Sequence, residues 1–384
     1  MRFLHTADWH LGRSLYGANL IDEQEYLLDQ IVRLAKETEP DAVIVAGDVY
    51  DRAVPPREAV RLLDDVLSRL ILGLGRTVIL IAGNHDSPYR LTFGSRMLID
   101  RGLHILGQPV SSTAPVILRD KHGPVHFYPL PYAEPAMVRH CLSRDDIEGH
   151  QQAMQCLLEG LWARHPQGVR AVAVAHCFVT GSTETESERP LSIGGAGALA
   201  PSVFDEFDYV ALGHLHRPQA PEANRIRYSG SLMRYSFSEA DHDKAILVVT
   251  VDAEGGSQVE EVPLTPRRQV RCIEGRLAEV LNGAADDPRR DDYLMVTLRD
   301  RGPVFDAMGR LREVYPNVLH TERPLVTSRA EAKTDRIDHR KMDDLDLFSA
   351  FFEQVTGEEL APTERDAFVG IANAVRLGER EARP

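Results

Sequence analysis

Five apolar runs in this chain end in turns that carry Asp, Asn or His, and that recurrence limits the fold more than any other feature. Val78-Ile79-Leu80-Ile81-Ala82 leads into Gly83-Asn84-His85-Asp86. Residues 3–7 lead into Asp8 and His10. Asp41 to Ala46 leads into Gly47-Asp48. Val169 to Ala175 ends on His176, and Tyr209 to Leu212 ends in Gly213-His214-Leu215-His216. Short continuous apolar runs bounded by turns read as buried strands of an α/β sheet. In open α/β sheets, ligands collect at the carboxyl ends of the strands.

Asp8, His10, Asp48, Asn84, His176, His214 and His216 are seven oxygen and nitrogen donors at five strand ends. That is too many for one tetrahedral ion and suits two ions that share a bridge. Asp48 is the natural bridge, because a carboxylate has two oxygens. Two ions about 3.5–4 Å apart form the clamp used in phosphoryl hydrolysis. Mixed donors without a thiolate favour manganese, iron or zinc over an all-oxygen magnesium cage. His85 points away from Asn84 if the turn is extended, so its expected role is general acid or phosphate stabiliser. Asp51 and Asp86 read as residues that steady the turns or orient a ligand. Arg13, Arg52, Arg57 and Arg90 follow the ligand turns, where they suit phosphate contacts or a solvated rim equally well.

Between these runs the chain alternates strand and helix. Helices are expected over 22–37, from Pro55-Pro56 to about Leu72, near 89–100, and near 134–142 and 150–163. Short strands are expected near 103–106, 115–119 and 124–128, with a break at Pro129-Leu130-Pro131. Residues 225–230, 244–252 and 257–264 read as β. The polar, Gly-rich stretch 180–199 reads as a loop, plain or substrate-facing, and its Glu184, Glu186 and Glu188 have no evident task. Past Pro266 a smaller β-α-β-α-β unit begins. Residues 328–344 are mostly charged and read as a linker. Leu345, Phe348, Phe352 and Val355 share one helical face, and Phe368, Ile371, Ala372 and Val375 share another.

The 384 residues allow two domains, and the net charge of −14 argues by itself against a broad nucleic-acid surface. Two divalent cations would offset part of that charge locally. The four cysteines form no CxxC pair, so neither a thiolate zinc site nor a disulfide framework is indicated. No apolar run approaches the roughly 20 residues of a membrane helix, and a cytoplasmic protein is the expectation.

Asp8/His10, Asp48 in GDVYD, Asn84-His85 in GNHD, His176 and His214/His216 in GHLH resemble the complete signature of the calcineurin-like metallophosphoesterases. LHTADWHLG, VIVAGDVYDRAVPP, AGNHDS and GSLMRYSFSEADHDKA are similar to the bacterial SbcD-type nuclease subunits of that family. The resemblance covers about residues 1–250 and thins across 266–384. It implies a four-layer α/β/β/α sandwich. It implies one ion on Asp8, His10, Asp48 and His216, and the other on Asp48, Asn84, His176 and His214, with His85 assisting. It also implies manganese as the best cofactor, with magnesium possible. The implied activity is cleavage of double-stranded DNA ends and hairpins, in repair and recombination, by a homodimer partnered with an SbcC-type ABC ATPase. The corresponding layout is a nuclease domain over 1–265, a DNA-capping domain over 266–327, the linker over 328–344 and an ATPase-binding helical extension over 345–384. Helices over 56–72 and 89–101 are candidates for the dimer surface.

A lone histidine on an apolar strand is usually structural, but the five strand ends together are not explained that way. His104, His126, His140, His150 and His165 lack such context and read as surface or core. Trp9 reads as packing. Two other functions remain open: a phosphodiesterase or phosphatase of the same fold acting on a small substrate, and a DNA-end-binding scaffold with little chemistry of its own.

Overall fold

The structure is a computed structural model that describes residues 1–188, 197–222, 224–300 and 304–323, and in the tail 345, 348–349, 352, 360–369 and 371. In chain order, the main elements begin with β1 (Arg2–Thr6), α1 (Ile21–Thr38), β2 (Ala42–Val45), α2 (Arg57–Ser68), β3 (Thr77–Ile81) and β4 (Leu103–Leu106). They continue with β5 (Val116–Asp120), β6 (Gly123–Leu130), α3 (Pro135–Leu142), α4 (His150–Trp162), β7 (Arg170–His176) and β8 (Tyr209–Gly213). Then come β9 (Gln219–Glu222), β10 (Ile226–Tyr228), β11 (Ala245–Val251) and β12 (Ser257–Pro263).

These strands form two mixed sheets. The first runs in the order β12-β11-β1-β2-β3-β4, with β1 to β4 parallel, β11 antiparallel to β1 and β12 antiparallel to β11. The second runs β9-β10-β8-β7-β6-β5, with β10, β8, β7 and β6 parallel. Phe3, Ile44, Ile79 and Leu247 of the first sheet share one buried cluster with Phe127, Val172, Val174 and Tyr209 of the second. The Phe3 ring meets Phe127 edge-on at 5.4 Å. Helix α1 contributes Leu27, Leu28, Ile31 and Ala35 to another cluster with Leu4, Val43 and Val78. Helix α4 contributes Met154, Leu158 and Leu161 to a third cluster, with Ala171 and Val210. Strand residues therefore alternate between two apolar surroundings, which accounts for continuous apolar runs in the sequence.

Two expectations change. Residues 89–100 form two separate turns, Pro88–Leu91 and Ser95–Leu98, followed by a 3-10 turn over Ile99–Arg101. Gly94 sits between them at φ 73°, a left-handed conformation that interrupts a helix. The Pro129-Leu130-Pro131 break is absent up to Leu130, where β6 ends. Pairing with β5 stops at Phe127, so beyond it β6 has a neighbour on one side only, and proline is tolerated there.

The smaller unit is a parallel sheet of β13 (Val270–Gly275), β14 (Tyr293–Leu298) and β15 (Val318–Glu322). Helices α5 (Leu277–Gly283) and α6 (Ala307–Val314) cover it through Leu277, Val280 and Leu311, with Tyr315 just past α6. Val270 and Tyr293 instead join the cluster of α1. The Arg268 guanidinium also pairs with the buried Glu23 at 2.7 Å.

The chain divides into two compact units, one of residues 1–300 and 304–322 and one of 301–303 and 323–384. In the second, the described residues include a helix over 362–369, and the rings of Phe348 and Phe368 stack at 4.1 Å. The expected linker and Val355, Ala372 and Val375 lie outside the described residues. Among the described residues, no helix is long and apolar enough to cross a membrane.

Candidate metal centre

The turns after β1, β2 and β3 of the first sheet and after β7 and β8 of the second converge on one place. His10 Nε2 lies 3.0 Å from His216 Nε2 and 3.6 Å from Asp48 Oδ2. His176 Nε2 lies 3.6 Å from the same Asp48 oxygen and 2.9 Å from Asn84 Oδ1. The His214 main-chain N–H donates to both Asp8 oxygens at 3.0 Å. Asp8, His10 and His216 bring ligand atoms within 4.8 Å of one another, as do Asp8, Asp48 and His176. The His214 ring lies 5.5 Å from that of His176, so all seven expected donors are brought together, and all but Asn84 are buried.

Tight turns make this possible. Among the described residues, eight non-glycine residues have positive φ, and four of them are expected donors: Asp8 at 52°, His10 at 44°, Asp48 at 47° and His214 at 110°. Each such conformation costs on the order of 1–3 kcal/mol and persists only where the surroundings impose it. Gly83 is required for space, because a Cβ there would strike the Asp48 carboxylate and main chain. The Asp86 carboxylate ties two of the turns together, accepting from Val49 N at 3.1 Å, Tyr50 N at 2.9 Å and Gly83 N at 2.9 Å.

The donors fit divalent cations. His214 Nε2 and His10 Nδ1 are buried without a hydrogen-bond partner. His176 Nδ1 donates to the Ala46 carbonyl at 2.9 Å, which leaves Nε2 a bare lone pair facing the Asn84 oxygen and the Asp48 carboxylate. Acceptors facing acceptors inside a protein call for a cation between them. Burial lowers the pKa of His10, His176 and His214, so all three are neutral donors near pH 7. Burial, and then the Asp48 charge, push the Asp8 carboxyl well above its usual range. Bound cations reverse that balance.

His85 sits differently. Its Nδ1 donates to the Asp51 carbonyl at 2.8 Å, and its Nε2 faces the centre, 3.9 Å from Asp48 Oδ2. Asp51 thus orients His85 through its main chain, while its carboxylate lies 3.4 Å from Arg13. Arg52, Arg57 and Arg90 are exposed, and Arg57 pairs with Glu58. Trp9 is fully buried and donates to Thr6 Oγ1.

Sequence reasoning missed the polar shell behind His216. Its Nδ1 lies 2.8 Å from Ser187 Oγ and 3.2 Å from Glu239 Oε1. Its main-chain N–H donates to Glu188 Oε1 at 2.8 Å, and its carbonyl accepts from Lys244 Nζ at 2.6 Å. Gln24 and Tyr235 hold the other side, with Gln24 Nε2 donating to the His10 carbonyl at 2.8 Å and Tyr235 to that of Trp9. The available signal for Glu239 and Lys244 was their place in the quoted string GSLMRYSFSEADHDKA.

Residues 1–218 match the calcineurin-like phosphoesterase family. The chain belongs to that family. Residues 266–356 match the SbcD C-terminal family, described as the type 5 capsule protein repressor C-terminal domain. Among solved structures, TT1561 of Thermus thermophilus is 13% identical, covering 68% of this chain and 98% of that one at a TM-score of 0.38. A dimetal phosphatase from Danio rerio is 15% identical, covering 69% and 98% at a TM-score of 0.40. Membership in the calcineurin-like phosphoesterases, with the clustered histidines and aspartates, supports a metal-dependent hydrolase that takes two divalent cations.

Proposed function

We propose that the protein is a two-metal DNA nuclease of the SbcD type. The observation that carries this reading is one chain joining a calcineurin-like centre to an SbcD-type C-terminal region. Asp8, His10, Asp48 and His216 would hold one ion, and Asp48, Asn84, His176 and His214 the other. When bound, two such ions activate water and neutralise charge on the transferring phosphoryl group. Manganese is the proposed metal, with magnesium as a weaker substitute. His85 is the proposed general acid. Its Nδ1 proton is committed to the Asp51 carbonyl, so Nε2 is the nitrogen that carries a proton to the leaving oxygen. Arg13, at the edge of the centre, and exposed Arg52 and Arg90 supply charge for neighbouring phosphates.

The finer architecture belongs to the same reading: a four-layer α/β/β/α nuclease core over 1–265, a DNA-capping unit over 266–327 and an ATPase-docking extension over 345–384. Val60, Leu72, Tyr89, Phe93 and Met97 are exposed apolar residues on the segments proposed for a homodimer surface. Deleting residues 343–384 should spare metal-dependent cleavage and abolish co-purification of an SbcC-type ATPase.

The test is cleavage of end-labelled duplex DNA with manganese, with magnesium and with chelator, beside His85→Ala and beside bis-p-nitrophenyl phosphate. Manganese-dependent cutting of the duplex, lost in the variant, is expected. Hydrolysis of the small diester without duplex cleavage, alone or with the ATPase present, overturns the nuclease reading and leaves the hydrolase.

A further inference from the structure

We propose that Glu239 is a positioning residue for His216, taking its Nδ1 proton and thereby aiming its bare Nε2 at the Asp8 and His10 donors. The inference rests on the two-cation reading of the centre and concerns residues that this reading leaves unused.

Glu239 lies in the 3-10 turn Phe237–Glu239 and is fully buried. Its Oε1 is 3.2 Å from His216 Nδ1 and accepts from Tyr235 N at 3.2 Å. Its Oε2 pairs with the Lys244 ammonium. Lys244 Nζ also donates to the His216 carbonyl at 2.6 Å and to Ser231 Oγ at 2.9 Å. One ion pair thus grips both the ring and the main chain of the same histidine. A buried ion pair is a poor device for stability alone, since well-packed apolar residues do as well. Here it supplies direction.

Ser187 competes for the same nitrogen. Its Oγ lies 2.8 Å from His216 Nδ1 and 2.8 Å from Thr185 Oγ1. A hydroxyl can donate or accept, so it permits either tautomer. A carboxylate paired with an ammonium only accepts, and a lone pair on Nδ1 would be repelled by it. Glu239 therefore decides the tautomer and Ser187 follows. His176 and His85 obtain the same orientation from main-chain carbonyls of Ala46 and Asp51. A carboxylate behind a ligand imidazole both fixes the ring and raises its basicity, and losing such a partner typically costs about 10–100-fold in metal affinity.

The experiment compares the full-length protein with Glu239→Leu/Lys244→Met, which removes both charges together, and with Glu239→Gln/Lys244→Met, whose amide oxygen can still accept from Nδ1. Imidazole 15N chemical shifts of the metal-free protein read the tautomer, and calorimetric titration with Mn2+ reads the affinities. The parent should show His216 protonated on Nδ1. The Leu/Met variant should lose that tautomer and bind one of two Mn2+ ions about 10–100-fold more weakly, with the other unchanged, and the Gln/Met variant should recover the tautomer. His216 protonated on Nε2 in the parent, or a Leu/Met variant that binds both ions as the parent does, overturns the proposal. If the Leu/Met variant does not fold, Ser187→Ala decides: both the tautomer and the affinities should stay as in the parent, and their loss overturns the assignment. A parent that keeps the Nδ1 tautomer but binds no Mn2+ would refute the two-cation reading instead.

Discussion

His176 and His216 both stand at the carboxyl ends of neighbouring parallel strands, yet they are held in opposite ways. His176 leans on the main chain, through the Ala46 carbonyl, and its surroundings are strand ends of the fold itself. His216 leans on side chains gathered from residues 187–188 and 239–244, far along the sequence. The half of the centre around His176, Asn84 and His214 is therefore a product of topology. The half around His216, Asp8 and His10 also depends on a separate polar shell. Half of the site is inherited with the fold, and half can be tuned by substitutions that leave the strands alone.

The largest expected effect erases the contrast. Asp48 faces both halves, 3.6 Å from His10 Nε2 and from His176 Nε2. Asp48→Ala should remove both ions in a metal-content assay and reduce diester hydrolysis by about 10³-fold or more, the loss of several kcal/mol of charge stabilisation. One ion retained at parent affinity would show that the halves do not share this oxygen. Next comes His85→Ala, which should touch neither half: both affinities stay, while turnover falls about 10²–10⁴-fold, the usual contribution of a general acid. Loss of a bound ion in that variant would make His85 a ligand. Asp86→Ala is smaller. Its carboxylate braces the Asp48 turn, which faces both halves, and the Asn84 turn, which faces one, so it should weaken both ions and the one on the His176 side more, by about 10–100-fold. Equal weakening of both ions would mean that the halves are not independent.

The last effect is common to both halves and needs no cation. Burial is the largest cause of lowered pKa values at His5, His10, His176 and His214, with His5 brought down to about 3. Unfolded, these groups titrate near 6.5. Below that pH the unfolded chain takes up protons that the folded chain refuses. Their contribution to stability is therefore complete above 6.5 and lost as pH falls. Asp8 and Asp86 act in the opposite sense, with Asp86 raised to about 7 first by burial and then by Asp48. Burial also raises Asp208 and lowers His104, His126, His150 and His242, so the histidines still outnumber the carboxyls. The chelated protein should thus lose about 1.4 kcal/mol per pH unit for each unmatched proton. Urea midpoints at pH 7.5 and 5.5 would show it, and a midpoint that rises on acidification would contradict the balance.

The His176 half was readable from sequence because each donor ends an apolar run, and the run, the turn and the donor are contiguous. The candidate donors follow from that alone, while their convergence rests on the packing of two sheets that no single run reveals. The shell of His216 was not readable in the same way. Glu188 sits in a polar loop with two other glutamates, and nothing local marks it as the one whose side chain reaches a histidine main chain. Glu239 and Lys244 follow a β-rich stretch with no periodicity to show that both turn inward. The strand through Pro129 was hidden for a related reason. Whether a missing N–H matters depends on which neighbour β6 has at that point, and pairing is not local.

The donors also come from two different sheets, with Asp8, His10, Asp48 and Asn84 from one and His176, His214 and His216 from the other. At that end, polar bonds cross from His176 to Ala46 and from His214 to Asp8, while nearer the opposite end the sheets meet through Phe3, Phe127 and Tyr209. Close-packed cores transmit strain, so a change of volume at Phe3, Phe127 or Tyr209 should alter the separation of the two sets of ligand turns, although those side chains carry no candidate donor.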